Sequence, residues 1–326
     1  MKRRAFIALV GGGVAWPLGA YAQSRATPVI GFLCSGTPET DALRLRDVWQ
    51  GLNEAGYIER RNVAGEYRFA ADDYDRLPAL AADLVQRRIA VIVGVGTTPA
   101  ALAAKAATTT IPVVFVVGAD PVALGLVPNL YRPGSNLTGV TFLNRTIVAK
   151  QLQLLHEIVP AVNRIGFLVN KANPFAESDV NDARAAAVAL AKDIRIMAIG
   201  PGDELPKAFA RLVSENVAAL LVAGDFSLNR RRQAIIELAA RNRMPVIYPW
   251  REAALAGGLI SYGTRSSDAF RLAGTYAGRI LRGERAADLP VQQSTTIELV
   301  VNMRTAGALG IKVPTALLVS ANEVIE

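Results

Sequence analysis

The chain has 326 residues, 51% apolar, 6% aromatic and 20% charged, with a formal net charge of +8. This composition excludes disorder, and the length suits two domains or lobes. One Cys and one His exclude an internal disulfide and a zinc site, each of which needs several such residues.

Lys2, Arg3 and Arg4 precede an uncharged run from Ala5 to Ala20, and Ala20-Tyr21-Ala22 fits the small-x-small cleavage pattern. Residues 1–22 therefore read as an export signal, with the mature chain beginning at Gln23. Gly11, Gly12, Gly13 and Pro17 make the run a poor permanent helix. The paired arginines resemble a twin-arginine signal, with a Sec signal as the alternative. Removing three cations leaves 33 − 28, or +5. That charge calls for no nucleic-acid partner, and no basic run interleaved with aromatics suggests one. Beyond this segment no apolar run approaches the ~20 residues of a membrane span.

Short runs rich in Val and Ile follow: Val29 to Leu33, Ala90 to Val95, Ile111 to Val117, Ile165 to Val169, Ala218 to Val222 and Val246 to Tyr248. Without polar alternation they read as strands buried on both faces of a parallel sheet. Helical stripes lie between them, such as Leu45, Val48, Trp49 and Leu52, then Leu77, Leu80, Ala81 and Leu84. A late stripe is Phe270, Ala273, Ala277, Ile280 and Leu281. The series runs twice, on either side of Arg132 to Gly139, a turn-rich stretch that reads as a crossing point. The fold class is α/β, with two similar doubly wound lobes.

Four strand ends run into a capping residue and a proline: Thr37-Pro38, Thr98-Pro99, Asp120-Pro121 and Asn173-Pro174. Ligands of open α/β sheets bind beyond the carboxyl ends of the strands, where helix N-termini attract anions. These turns are expected on one shared rim, although each is also an ordinary helix start. No Walker loop, dinucleotide fingerprint or nucleophile elbow occurs. His156 reads as a partly exposed helix residue, Cys34 as a small buried one, and Asp72, Asp73 and Asp75 as capping acids. Arg230, Arg231 and Arg232 read as a solvated helix face. No catalytic set, cofactor or metal is expected.

Several segments are familiar together: Tyr74-Asp75-Arg76-Leu77-Pro78, Thr98-Pro99-Ala100-Ala101-Leu102, Asp120-Pro121-Val122, Arg132-Pro133-Gly134-Ser135-Asn136-Leu137-Thr138-Gly139 and Gly257-Gly258-Leu259-Ile260-Ser261-Tyr262-Gly263. With them the chain resembles the tryptophan/tyrosine-type substrate-binding proteins of ABC importers, which have a type I periplasmic-binding fold. Where many relatives have Asn-Pro-x-Asn-Pro, this chain has Asn170-Lys171-Ala172-Asn173-Pro174. The resemblance implies three crossovers, near Thr141, Gly263 and Gln293. The first lobe then holds 27–141 and 263–291, the second 142–262 and 292–326. It also implies a monomer in the periplasm that captures a small ligand between closing lobes and delivers it to a permease with its ATPase. An exported sensor feeding a receptor, or an exported α/β enzyme, are the alternatives.

Strand-end positions then nominate the site. Thr97 and Thr98, helped by Ser35 and Gly36, are expected to hold a ligand carboxylate. Asp120 either accepts an ammonium group or is only a cap. Asn170, Asn173 and Asp225 form the opposite rim, with Tyr248 and Tyr262 as apolar walls.

Overall fold

The structure, a computed structural model, describes residues 27–142, 145–173, 176–200 and 205–326. The expected export signal and Pro174 lie outside the described residues. The first lobe opens with β1 (Val29–Cys34), α1 (Pro38–Glu54), β2 (Ala64–Phe69), α2 (Leu77–Gln86) and β3 (Val91–Val95). It continues through α3 (Thr98–Ala107), β4 (Val113–Val117) and β5 (Leu137–Thr141). The second lobe runs through α4 (Arg145–Ile158), β6 (Arg164–Asn170), α5 (Ala176–Ala189), β7 (Asp193–Ile199) and α6 (Leu205–Ser214). After these come β8 (Ala219–Val222), α7 (Phe226–Arg230), α8 (Arg232–Arg241), β9 (Val246–Tyr248), α9 (Arg251–Leu255) and β10 (Ile260–Thr264). The chain returns to the first lobe for α10 (Ser266–Leu281) and β11 (Gln292–Gln293). It ends in the second with β12 (Ile297–Asn302), α11 (Met303–Leu309), α12 (Thr315–Ser320) and β13 (Glu323–Ile325).

The first sheet has the order β11-β5-β4-β3-β1-β2, and the second β13-β12-β10-β9-β8-β6-β7. Each doubly wound half reverses strand order between its first and third strands, β1 and β3 or β6 and β8, which is where such sheets open a crevice. All pairings are parallel except β10 with β12. The six apolar runs of the sequence all form strands, because a strand covered on both faces has no solvent side to mark with polar residues. Leu137 to Thr141, partly inside the stretch read as a crossing, is instead the buried strand β5. Its two buried threonines disguise it: Thr138 donates to the Leu289 carbonyl and Thr141 to that of Ala119. Two boundaries also move. Gly263 and Thr264 stay in the second sheet, paired with Glu298 and Ile297. Gln292 and Gln293 belong to the first sheet, beside Val140 and Thr141.

The returning helix α10 seals the first core, with Phe270, Ala273, Tyr276 and Ala277 packed among Ile30, Val48, Leu52 and Val93. Two glycines allow its backbone to touch that of α1. A Cβ on Gly51 would lie 1.8 Å from the Arg271 carbonyl oxygen, and one on Gly274 would lie 1.9 Å from that of Val48.

The second contact joins the lobes. Phe226 and Trp250 follow strands of the second sheet, yet pack in the first core with Phe142 and Phe270. The Phe226 and Trp250 rings stack at 4.7 Å and 3°, and the Arg44 guanidinium lies 4.4 Å from the Phe226 ring centre. At the end of α7 the Arg230 side chain, only 3% exposed, reaches across. It donates to Asp72 and lies 3.7 Å from the fully buried Asp41. Asp41 is in turn held by Arg44 at 2.5 Å and the Gly36 N–H at 2.9 Å. This corrects the reading of Arg230 to Arg232 as a solvated face. The helix breaks at Arg231, so Arg230 points to the other lobe, while Arg231 and Arg232 donate to the Gly200 and Asn229 carbonyls. Asp73, not Asp72, caps the short turn of helix at Tyr74.

Two outcomes follow from these contacts. Gly274→Ala is expected to cost about 1–3 kcal/mol of stability, read as a lower urea midpoint at unchanged slope, although alanine is the better helix former. Gly307→Ala, in α11 with open space around it, is expected to stabilise by up to ~1 kcal/mol. Equal effects of the two would refute the helix contact. Arg230→Met is expected to enlarge the radius of gyration of solute-free protein in small-angle scattering, with Asp72→Asn doing so less. An unchanged profile for both would mean that the ion pairs do not hold the lobes together.

Candidate functional site

A cavity of ≈ 220 Å³ opens between the lobes at the carboxyl ends of both sheets. The first lobe contributes Tyr74, Gly96, Thr97, Thr98, Pro99, Gly118, Asp120 and Phe142. The second contributes Asn173, Ser178, Asp179, Asp182, Asp225, Phe226 and Trp250.

Five of the ten residues nominated from sequence line it: Thr97, Thr98, Asp120, Asn173 and Asp225. Gly96 takes φ +108 to turn the chain out of β3, which brings Thr97 and the first residues of α3 to the rim. Thr97 rather than Thr98 is the cap of α3, and its hydroxyl is bonded to that of Ser35 instead of to the helix. Ser35 is thus a fully buried support behind the rim. Asp120 accepts from the Val122 N–H at 2.9 Å through Oδ1. Asp225 caps α7 through Oδ1, accepting from Ser227 and Leu228, and takes a further bond from the Asn170 amide at 3.1 Å. Asn170 therefore positions Asp225 from beneath.

Three expected contacts fall elsewhere. Gly36 sits under the interlobe ion pairs, where a Cβ would approach Arg230 Cδ at 3.1 Å. Tyr248 is 2% exposed within the second lobe's core, since its place in β9 turns it inward. Tyr262, in β10, packs against the same core, and its carbonyl accepts from Gln151. The aromatic wall comes from Phe142, Phe226 and Trp250. Phe226 and Trp250 lie just past the ends of β8 and β9, so the strand-end rule that selected Asp225 would have selected them too.

Asp179 and Asp182 were also missed. They are three residues apart on α5, hence neighbours on one helical face. Among the described residues the cavity lining holds four aspartates and no Lys, Arg or His. Burial, then the Asp182 and Asp225 carboxylates, push the Asp179 carboxyl up to about 7. Burial likewise raises Asp225, against the Leu228 N–H, the Asn170 amide and Arg230. Burial, then Asp225, push the Tyr74 hydroxyl up to about 12. The site is built to hold positive charge on one side and to offer hydroxyls and a helix N-terminus on the other.

A carboxyl with a raised pKa binds its proton more tightly in the native chain, so its stabilising contribution is lost as pH rises from 3.8 through about 7. Asp179→Asn is therefore expected to gain stability on the wild type between about pH 4 and about pH 8, by on the order of 1 kcal/mol after screening by cavity water. A pH-independent difference in urea midpoints would refute this.

A family model described as ABC transporter substrate binding protein matches residues 39–325. A tyrosine-binding protein of Clostridioides difficile (strain R20291) is 25% identical over 260 residues, 80% of this chain and 74% of that one. An ABC domain from Streptococcus pneumonia, solved in complex with L-Trp, is 26% identical and superposes with a TM-score of 0.84 over 92% of this chain and all of that one. A conserved domain protein of Vibrio cholerae gives 27% identity and a TM-score of 0.84 over 91% of this chain and 99% of its own. The two lobes thus form a type I periplasmic-binding fold, and the chain belongs to the ABC transporter substrate-binding protein family.

Proposed function

We propose that the protein captures a small amino-acid-like solute between its lobes outside the cytoplasm and delivers it to a membrane permease driven by its ATPase. The observation that carries this reading is the cavity itself, which sets hydroxyls and a helix N-terminus on one lobe against carboxylates on the other. In this reading the solute carboxylate meets the Thr97 and Thr98 groups at the start of α3, where the helix dipole favours an anion. Its ammonium meets Asp120, whose Oδ1 is committed to the turn, and Asp225 on the facing rim. Phe226 and Trp250 lie against the solute's apolar body. The named ligands of the related proteins, tyrosine and L-Trp, have this head group and an aromatic body.

The arrangement favours capture over catalysis, because each polar group fits holding a charge and none is poised as a nucleophile with a base. Delivery fits a clamp in which both lobes take part, so that the bound form differs in shape from the free one. Residues 1–22 supply the route out of the cytoplasm. No helix among the described residues is long and apolar enough to cross a membrane.

A thermal-shift screen of the protein against amino acids, aromatic acids and small carboxylates tests this. A cognate solute at a hundred times its Kd adds about 2.7 kcal/mol. Asp120→Asn keeps the capping oxygen and removes the charge, so affinity is expected to fall about tenfold or more while the melting temperature stays put. Unchanged affinity would make Asp120 a cap only, and chemical turnover of the bound solute would favour the enzyme reading.

A further inference from the structure

An amino-acid head accounts for only part of the charge in the cavity. Its ammonium engages Asp120 and Asp225, and its carboxylate belongs at α3. Asp179 and Asp182 remain, facing the same cavity from α5. Among the described residues neither has a hydrogen-bond or ion-pair partner.

Helix-dipole compensation explains these two residues poorly. Acids favour the first turn of a helix, and Glu177 and Asp179 both lie there. Asp182 lies beyond it, so the dipole does not account for its place. A solvated acidic face does not fit either, because both residues line an interlobe cavity that they share with Phe142, Phe226 and Trp250. Burial, then the Asp182 and Asp225 carboxylates, hold the Asp179 pKa up, and no Lys, Arg or His lines the cavity among the described residues. A cation arriving from the solute would supply the missing partner.

We infer that the solute carries a second cationic group, remote from its amino-acid head, which seats against Asp179 and Asp182. The ligand class is a dibasic amino acid or a close analogue. This inference rests on the solute reading above, and names the charge that the site selects.

The test uses probe pairs that share one head and differ chiefly in the remote charge: L-arginine with L-citrulline, L-lysine with L-norleucine, and 4-aminomethyl-L-phenylalanine with 4-methyl-L-phenylalanine. Titration calorimetry on the full-length protein is expected to favour the charged member of at least one pair by about tenfold or more, as a charge-assisted contact would. Asp179→Asn with Asp182→Asn, which keeps side-chain size, is expected to reduce that preference to about twofold or less, the melting temperature reporting that the fold is intact. Neutral members binding as tightly as charged ones would overturn the second cation and leave the solute reading standing. A preference that survives the double variant would overturn the assignment to α5. If no member of any pair binds, the amino-acid head itself is wrong and both readings fall. The pair comparison on the wild type needs no variant to fold.

Discussion

Arg230 is the interaction on which the arrangement of the two lobes depends. Burying a guanidinium is costly unless anions share its site, and here the anions come from the other lobe. Asp41 and Asp72 outweigh the burial and hold Arg230 above the ordinary arginine pKa. The pairing is incomplete, since Nε and one terminal nitrogen of Arg230 are buried without a hydrogen bond. A fully satisfied network would fasten the lobes firmly; this one joins them by Coulomb attraction with hydrogen bonds left unmade. The Phe226 and Trp250 stack beside it supplies apolar burial that does not depend on charge. Together they set the lobes close enough to enclose a cavity.

A second electrostatic effect works in the opposite direction. Asp120 on one rim faces Asp225, and beyond it Asp179 and Asp182, on the other. Like charges facing each other across such a gap repel, while burial, then the Asp182 and Asp225 carboxylates of its own lobe, raise the Asp179 pKa. The attraction at Arg230 and the repulsion in the cavity thus oppose each other within one interface. A positively charged occupant reverses the sign of the second effect and leaves the first untouched. In the proposed reading, binding and lobe contact are coupled partly through charge, since a ligand shifts an equilibrium only by its different affinity for the two states.

The strands were legible in the sequence wherever burial on both faces left continuous Val and Ile runs. β2 and β7, at sheet edges and half exposed, carry charged residues and lack that signature. β5 was hidden by threonines whose hydroxyls find carbonyl partners only in the folded chain. The rim was legible from the strand-end rule, which located Thr97, Asp120 and Asp225. That rule says where a residue stands but not where its side chain points, so Tyr248 was misread and Trp250 was missed. The role of Arg230 was not legible, because its partners lie 158 and 189 positions away, at Asp72 and Asp41, and three successive arginines look like a surface. Asp179 and Asp182 looked like ordinary acids on a helix until the facing lobe made their side of the helix a wall.

The three crossings of the chain between sheets bear on how the molecule is made. The first core lacks a cover until α10 has left the ribosome, and the edge of its sheet is open until Gln293 follows. The second sheet in turn waits for β12 and β13, at the very end of the chain. Neither half can therefore complete itself early while the other is still being synthesised, as successive domains of most multidomain proteins do. The last sixty or so residues finish both cores, so a polypeptide released short of them has two open sheets instead of one finished lobe and one missing. Neither lobe is therefore complete until nearly the whole chain exists.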